Sequence, residues 1–150
     1  GGVRISAVTV TALVLKLDSF GSLVWVNAYG GQGAQEGLGI AADSSDNIFT
    51  TGYFYNTVDF GDGDVTSTGN EDIYILKLNS SGSFQWIKTY GSTAASTSYY
   101  DVTNDITVDT DGNVYTVGAT GENTDFGTGN IVGSSFDSFV LKLTSSGSIE

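Results

Sequence analysis

The chain has 150 residues, with 17 acidic side chains against 5 basic ones and a formal net charge of −12. That balance excludes a nucleic-acid partner, whose phosphates call for Lys and Arg patches, and it disfavours anionic membrane surfaces. Neither His nor Cys is present, which removes the commonest general base, the thiol nucleophile and the disulfide.

An apolar fraction of 39% with 12% aromatics is enough for a folded core, and no apolar run approaches the ~20 residues of a spanning helix, so no membrane insertion is expected. Acidic, Ser/Thr/Gly-rich and Cys-free composition fits bacterial extracellular proteins that stay soluble by charge. The expected localisation is therefore the cell surface or beyond. The chain contains no Met, so Gly1 is not a translated start, and a processed or partial chain is expected.

In chain order, residues 1–12 read as a degenerate strand or the end of a preceding element. Residues 13–30 read as a partial blade consisting of its last two strands. Residues 37–91 then form a complete four-stranded blade. Its strands fall at 37–42, 48–54, 73–78 and 84–90, with a Gly/Asp-rich loop between the second and third. Alternating Ile, Phe, Thr and Tyr are good strand formers. Short turns join the first strand to the second (43–47) and the third to the fourth (79–82). Gly82, Gly112 and Gly147 supply the left-handed residue of such turns, and Asp46 stands in that place once. Residues 101–150 form a blade truncated in its last strand. Tyr74-Ile75-Leu76 is apolar on both faces, as in a sheet packed between two others.

Repetition sets this order. Leu15-Lys16-Leu17 recurs as Leu76-Lys77-Leu78 and as Leu141-Lys142-Leu143, at offsets of 61 (16 to 77) and 65 (77 to 142). Asp59-Phe60-Gly61 recurs as Asp125-Phe126-Gly127, at an offset of 66. All-β repeats of this length indicate four-stranded antiparallel blades of a β-propeller. About two and a half blades are present, not closed by this chain alone. The pattern carried by residues 72–86 and 105–118 resembles the bacterial SBBP β-propeller repeat, and the likeness runs from Leu13 to Ile149. Thr11 departs from it, standing where Asp72 and Asp137 stand later. The resemblance implies an extracellular or surface protein with a propeller fold.

Each recurring side chain has a structural and a functional reading. Lys16, Lys77 and Lys142 are expected to pair with carboxylates, with Asp72 and Asp137 as candidates. Trp25 and Trp86 suit packing between blades; in a lectin, such rings would stack on sugars. Asp59, Asp62 and Asp64 offer oxygen ligands for at most weak calcium binding, and no cofactor is expected beyond that. Asp109-Thr110-Asp111-Gly112-Asn113 resembles the start of a calcium loop but lies between strands, which makes it a hairpin turn. The insertion at 92–100 ends in Tyr99 and Tyr100, the best candidates for touching a ligand.

No catalytic constellation emerges, so the chain is not expected to be an enzyme. The expected function is a non-catalytic extracellular structural or interaction module, acting in surface assembly or protein–protein contact. The alternative is a carbohydrate-binding repeat lectin. Expected partners are other copies of the chain or the rest of a longer propeller, with a surface glycan or protein as ligand. In a homo-oligomer, residues 13–30 of one copy would complete the sheet begun by residues 101–143 of another.

Overall fold

A computed structural model of the chain describes residues 11–92, 100–127, 129–131 and 136–150. The described residues are all-β, and every strand pairing is antiparallel. Strands β1 (Ala12–Leu17) and β2 (Leu23–Tyr29) form a two-stranded sheet. Strands β3 (Gln35–Ala42), β4 (Ile48–Asp59), β5 (Asp64–Leu78) and β6 (Phe84–Tyr90) follow as a four-stranded sheet in chain order. The third sheet holds β7 (Val102–Val108), β8 (Val114–Thr120) and β11 (Asp137–Leu143), with β8 in the middle. A small ribbon pairs β9 (Thr124–Asp125) with β10 (Asn130–Ile131). These are blades one, two and three, and among the described residues no sheet closes on itself.

The Gly/Asp-rich stretch after Phe54 is a hairpin rather than a loop. Strands β4 and β5 run on past Phe54, pairing Thr57 with Thr66, Val58 with Val65 and Asp59 with Asp64. A bulge between Tyr55 and Thr57 absorbs Asn56 at φ 62°. Asn tolerates that left-handed conformation, so the ladder resumes instead of ending. The β9–β10 ribbon repeats this arm one blade later, at an offset of 66.

One turn design joins the strands within blades. In the third-to-fourth-strand hairpins, the N–H of Gly21, Gly82 and Gly147 donates to the carbonyl of Asp18, Asn79 and Thr144 respectively. These glycines have φ between 79° and 82°, where a Cβ would be strained. Asp18 and Asn79 Oδ1 each accept two backbone N–H groups within the turn. Asp43 and Asp109 do the same in the first-to-second-strand turns. The Asp109 segment is thus a hairpin turn whose carboxylate is occupied by its own backbone.

Two apolar layers lie between the three sheets. The first joins Ala12, Val14 and Tyr29 of blade one to Phe54, Tyr74, Leu76 and Leu78 of blade two. The second joins Phe49, Ile73, Ile75 and Tyr90 of blade two to Ile106, Val114, Leu141 and Leu143 of blade three. Blade two is therefore covered on both faces, which is why Ile73-Tyr74-Ile75-Leu76 in its third strand is apolar on both sides. Blades two and three approach closely where β3 and β4 meet β7. A Cβ on Gly39 would lie 3.1 Å from the Ile106 nitrogen, and the Thr51 and Thr103 hydroxyls bond across the junction at 2.7 Å.

Candidate interaction site at the blade junctions

The two tryptophans do one job twice. Trp25 Nε1 donates to the Ser80 carbonyl at 3.2 Å, and Trp86 Nε1 donates to the Ser145 carbonyl at 3.2 Å. Each half-buried ring covers the left-handed glycine of the next blade's hairpin. A Cβ on Gly82 would meet the Trp25 ring at 2.8 Å, and one on Gly147 the Trp86 ring at 3.2 Å. The fourth strand of one blade is thereby latched to the hairpin of the next.

The lysines do not pair with Asp72 or Asp137. Lys77 lies over the Phe49 ring at 4.9 Å and donates to the Ser145 carbonyl, and Lys142 lies over Tyr115 at 5.6 Å. Their ion pairs are with other groups, Lys16 with Asp46 at 3.6 Å and Lys142 with Glu150 at 2.7 Å. Strand geometry explains the correction. Lys77 stands five positions after Asp72, and Lys142 five after Asp137, an odd offset, so the two side chains project from opposite faces.

Equivalent clefts open at both junctions, between a fourth strand and the next blade's Asp-Phe-Gly hairpin. Asn27, Ala28 and Tyr29 face Asp59, Phe60 and Gly61 across a cleft of about 290 Å³. Thr89 and Tyr90 face Asn123, Asp125 and Gly127 across one of about 400 Å³. Phe60 lines the first cleft and packs on Tyr29 at 5.6 Å, and its repeat counterpart Phe126 packs on Tyr90 at 5.2 Å. At the rim, Asp59 Oδ1 accepts the Gly61 and Gly63 amides, while Asp62 and Asp64 are exposed. Among the described residues, no three acidic side chains converge on a metal position.

The second junction also buries two carboxylates, Asp101, which the sequence did not single out, and Asp72, which it offered only as a lysine partner. Asp101 accepts from the backbone N–H of Ser92 and Gly121 and from the hydroxyls of Thr120 and Thr124. Asp72 is 3% exposed. Its Oδ2 accepts the Thr68 amide at 2.8 Å, while Oδ1 has no hydrogen-bond partner. Burial, with the nearby Asp101 charge adding to it, pushes the Asp72 carboxyl up to about 6. A side chain at Gly91 would occupy the space of this carboxylate, so the glycine there leaves room for Asp72.

Tyr100 lines a third cleft, of about 340 Å³, with Tyr53, Glu71 and Val102; Tyr99 lies outside the described residues. The Tyr53 hydroxyl donates to Glu36 Oε2 at 2.9 Å, and burial together with that bond pushes it up to about 12. Burial also raises the Glu71 carboxyl. Two phenol rings and a partly desolvated carboxylate thus line one depression between blades two and three. Tyr53 and Glu71 come from paired strands at a diagonal, since Tyr53 faces Ile73 and Tyr55 faces Glu71 in the register. That neighbourhood depends on pairing across the long hairpin, which was not legible in the sequence.

Comparison with known proteins agrees with this architecture. In an alignment 116 residues long that covers 65% of its length, the chain is 26% identical to an uncharacterized WD repeat-containing protein of Acanthamoeba polyphaga mimivirus. It spans 8% of that protein's length. The family match falls on residues 85–127, from the Trp86 latch through the third blade's first two strands to its Asp-Phe-Gly hairpin. Residues 85–127 carry a β-propeller repeat of the SBBP family.

Proposed function

We propose that this chain is a non-catalytic interaction module working outside the cell, which engages a protein partner through the cleft of Tyr53, Glu71, Tyr100 and Val102. The observation that carries this reading is the composition of that cleft. Tyrosine brings a rigid apolar face with a polar tip, the combination favoured at protein contacts. Glu71 adds a carboxylate whose burial favours a basic side chain opposite it. The β-propeller repeat and the WD-repeat relative point to the same broad role, a repeat scaffold for protein contact.

The test is affinity capture from the extracellular protein fraction of the source organism, with a glycan array in parallel. The expected result is a captured protein that is lost with Tyr100→Ala and weakened by Glu71→Gln, while both variants keep the parental circular dichroism. Retention of glycans without any captured protein would overturn the reading in favour of a lectin. Turnover of a captured substrate would overturn its non-catalytic part.

A further inference from the structure

The two outer faces of the molecule are the two halves of a contact that it already builds twice. At each internal junction, the Leu76/Leu78 type of face on one blade receives the Val14 or Ile75 type of face from the blade before it. Leu76 and Leu78 are fully buried in the first junction, and Leu141 and Leu143 are 7% and 0% exposed in the second. At the same repeat positions of blade one, Leu15 and Leu17 are 47% and 50% exposed, with Leu13 beside them at 49%. The partner half is open at the other end of the molecule. Val140 stands where Ile75 (0%) stands in blade two, yet it is 78% exposed, and Val117 beside it is 42% exposed. The first hairpin is open as well. Phe20 is 90% exposed, and a Cβ on Gly21 would meet nothing within 4 Å, where Gly82 and Gly147 lie under tryptophan.

We propose that a second copy of this chain docks head to tail on the first, the Leu13, Leu15 and Leu17 face of one covering the Val117 and Val140 face of the other. This goes beyond the interaction reading, because the faces it uses are separate from the Tyr100 cleft. The fit follows from the internal junctions, where faces of these same two kinds already bury each other. Edge completion of blade three by residues 13–30 of another copy is not what the geometry supports, because β11 already holds the third-strand position against β8. The contact joins unlike faces, so each added copy leaves one of each kind free, and association proceeds to a ring or an open array. Both ends are apolar patches of the kind that drives such contacts.

The experiment is sedimentation of the full chain over a concentration series, with Leu15→Glu and Val140→Glu as variants at exposed positions. The wild-type chain should grow beyond a dimer as concentration rises. Each variant alone should stay at the 15.6 kDa monomer. An equimolar mixture of the two should give a discrete two-chain species, because one intact Leu face then meets one intact Val face. The serine variants of the same residues, which disturb folding less, should show the same mixing behaviour. A wild-type monomer at every concentration would overturn the proposal. So would a Val140→Glu variant that still dimerises by itself, which would mean Leu face on Leu face. Capture of a protein partner through Tyr100 is unaffected by either substitution, so the two readings fail separately.

Discussion

At the scale of single residues, Asp72 is the most informative side chain in the molecule. A carboxyl raised to about 6 by burial binds a proton more readily folded than unfolded, where its ordinary value is 3.8. Its contribution therefore destabilises the fold at pH 7, and that cost is relieved as pH falls through 6 towards 4. Asp72→Asn keeps an acceptor for the Thr68 amide and removes the charge. It should raise stability at pH 7 by about 1 kcal/mol, a figure discounted for solvent reaching the adjoining cleft. Denaturant curves of wild type and variant from pH 4 to pH 8 check this, because groups common to both cancel in the difference. Parallel stabilities across that range would show that the carboxylate is not strained. Neither Asp72 nor Asp101 was legible as part of a buried pair in the sequence. They stand 29 positions apart (72 to 101), and only the packing of blade two on blade three brings them together.

At the scale of elements, the turn glycines separate backbone strain from the tryptophan latch. Gly21, Gly82 and Gly147 share one φ, so alanine meets the same left-handed penalty of about 1–2 kcal/mol at each. Only Gly82 and Gly147 also lie under an indole ring. Gly82→Ala and Gly147→Ala should therefore cost at least about 1 kcal/mol more than Gly21→Ala, with the excess disappearing in Trp25→Ala and Trp86→Ala backgrounds. Equal costs at all three positions would mean that the rings move aside freely. The acidic hairpin tip makes a different forecast. Asp59 Oδ1 already serves two amides of its own turn, so chelator should move the melting temperature by less than about 10 °C, more than a kcal/mol of binding for a domain of this size.

The repeats made these elements legible, since Leu-Lys-Leu and Asp-Phe-Gly mark the same places in successive blades. The long β4–β5 arm was not, because Gly and Asp at its tip read as a loop. The alternation of Thr57 and Val58 with Val65 and Thr66 was the signal for pairing there. Lys16 and Lys142 do pair with carboxylates, but with Asp46 and Glu150, because the odd spacing puts Asp72 and Asp137 on the opposite sheet face from the lysine of their own strand.

At the scale of the whole molecule, burial is uneven in a way that hydrogen exchange can read. Blade two has apolar layers on both faces, and its third strand holds Ile73, Ile75, Leu76 and Leu78 at 0% exposure. Blade three has one covered face and three strands in its main sheet. Among the described residues, blade one is a two-stranded hairpin, marginal by itself in water, held by one face and the Trp25 latch. Local opening free energy follows the apolar contact and hydrogen bonding that each unit would lose. Amide protection at low protein concentration should therefore fall from β4 and β5, through β8 and β11, to β1 and β2. The slowest amides should report global unfolding, and those of β1 a smaller, separate opening. Trp25→Ala should lower protection in β1 and β2 without changing β8, because the indole bond it removes joins blade one to blade two alone. Raising the chain concentration should protect β1 and β2 most, since a docked copy covers the open Leu13, Leu15 and Leu17 face. Uniform protection across the three sheets, unmoved by Trp25→Ala, would mean that the blades open only together. The latch would then add nothing beyond the packed faces.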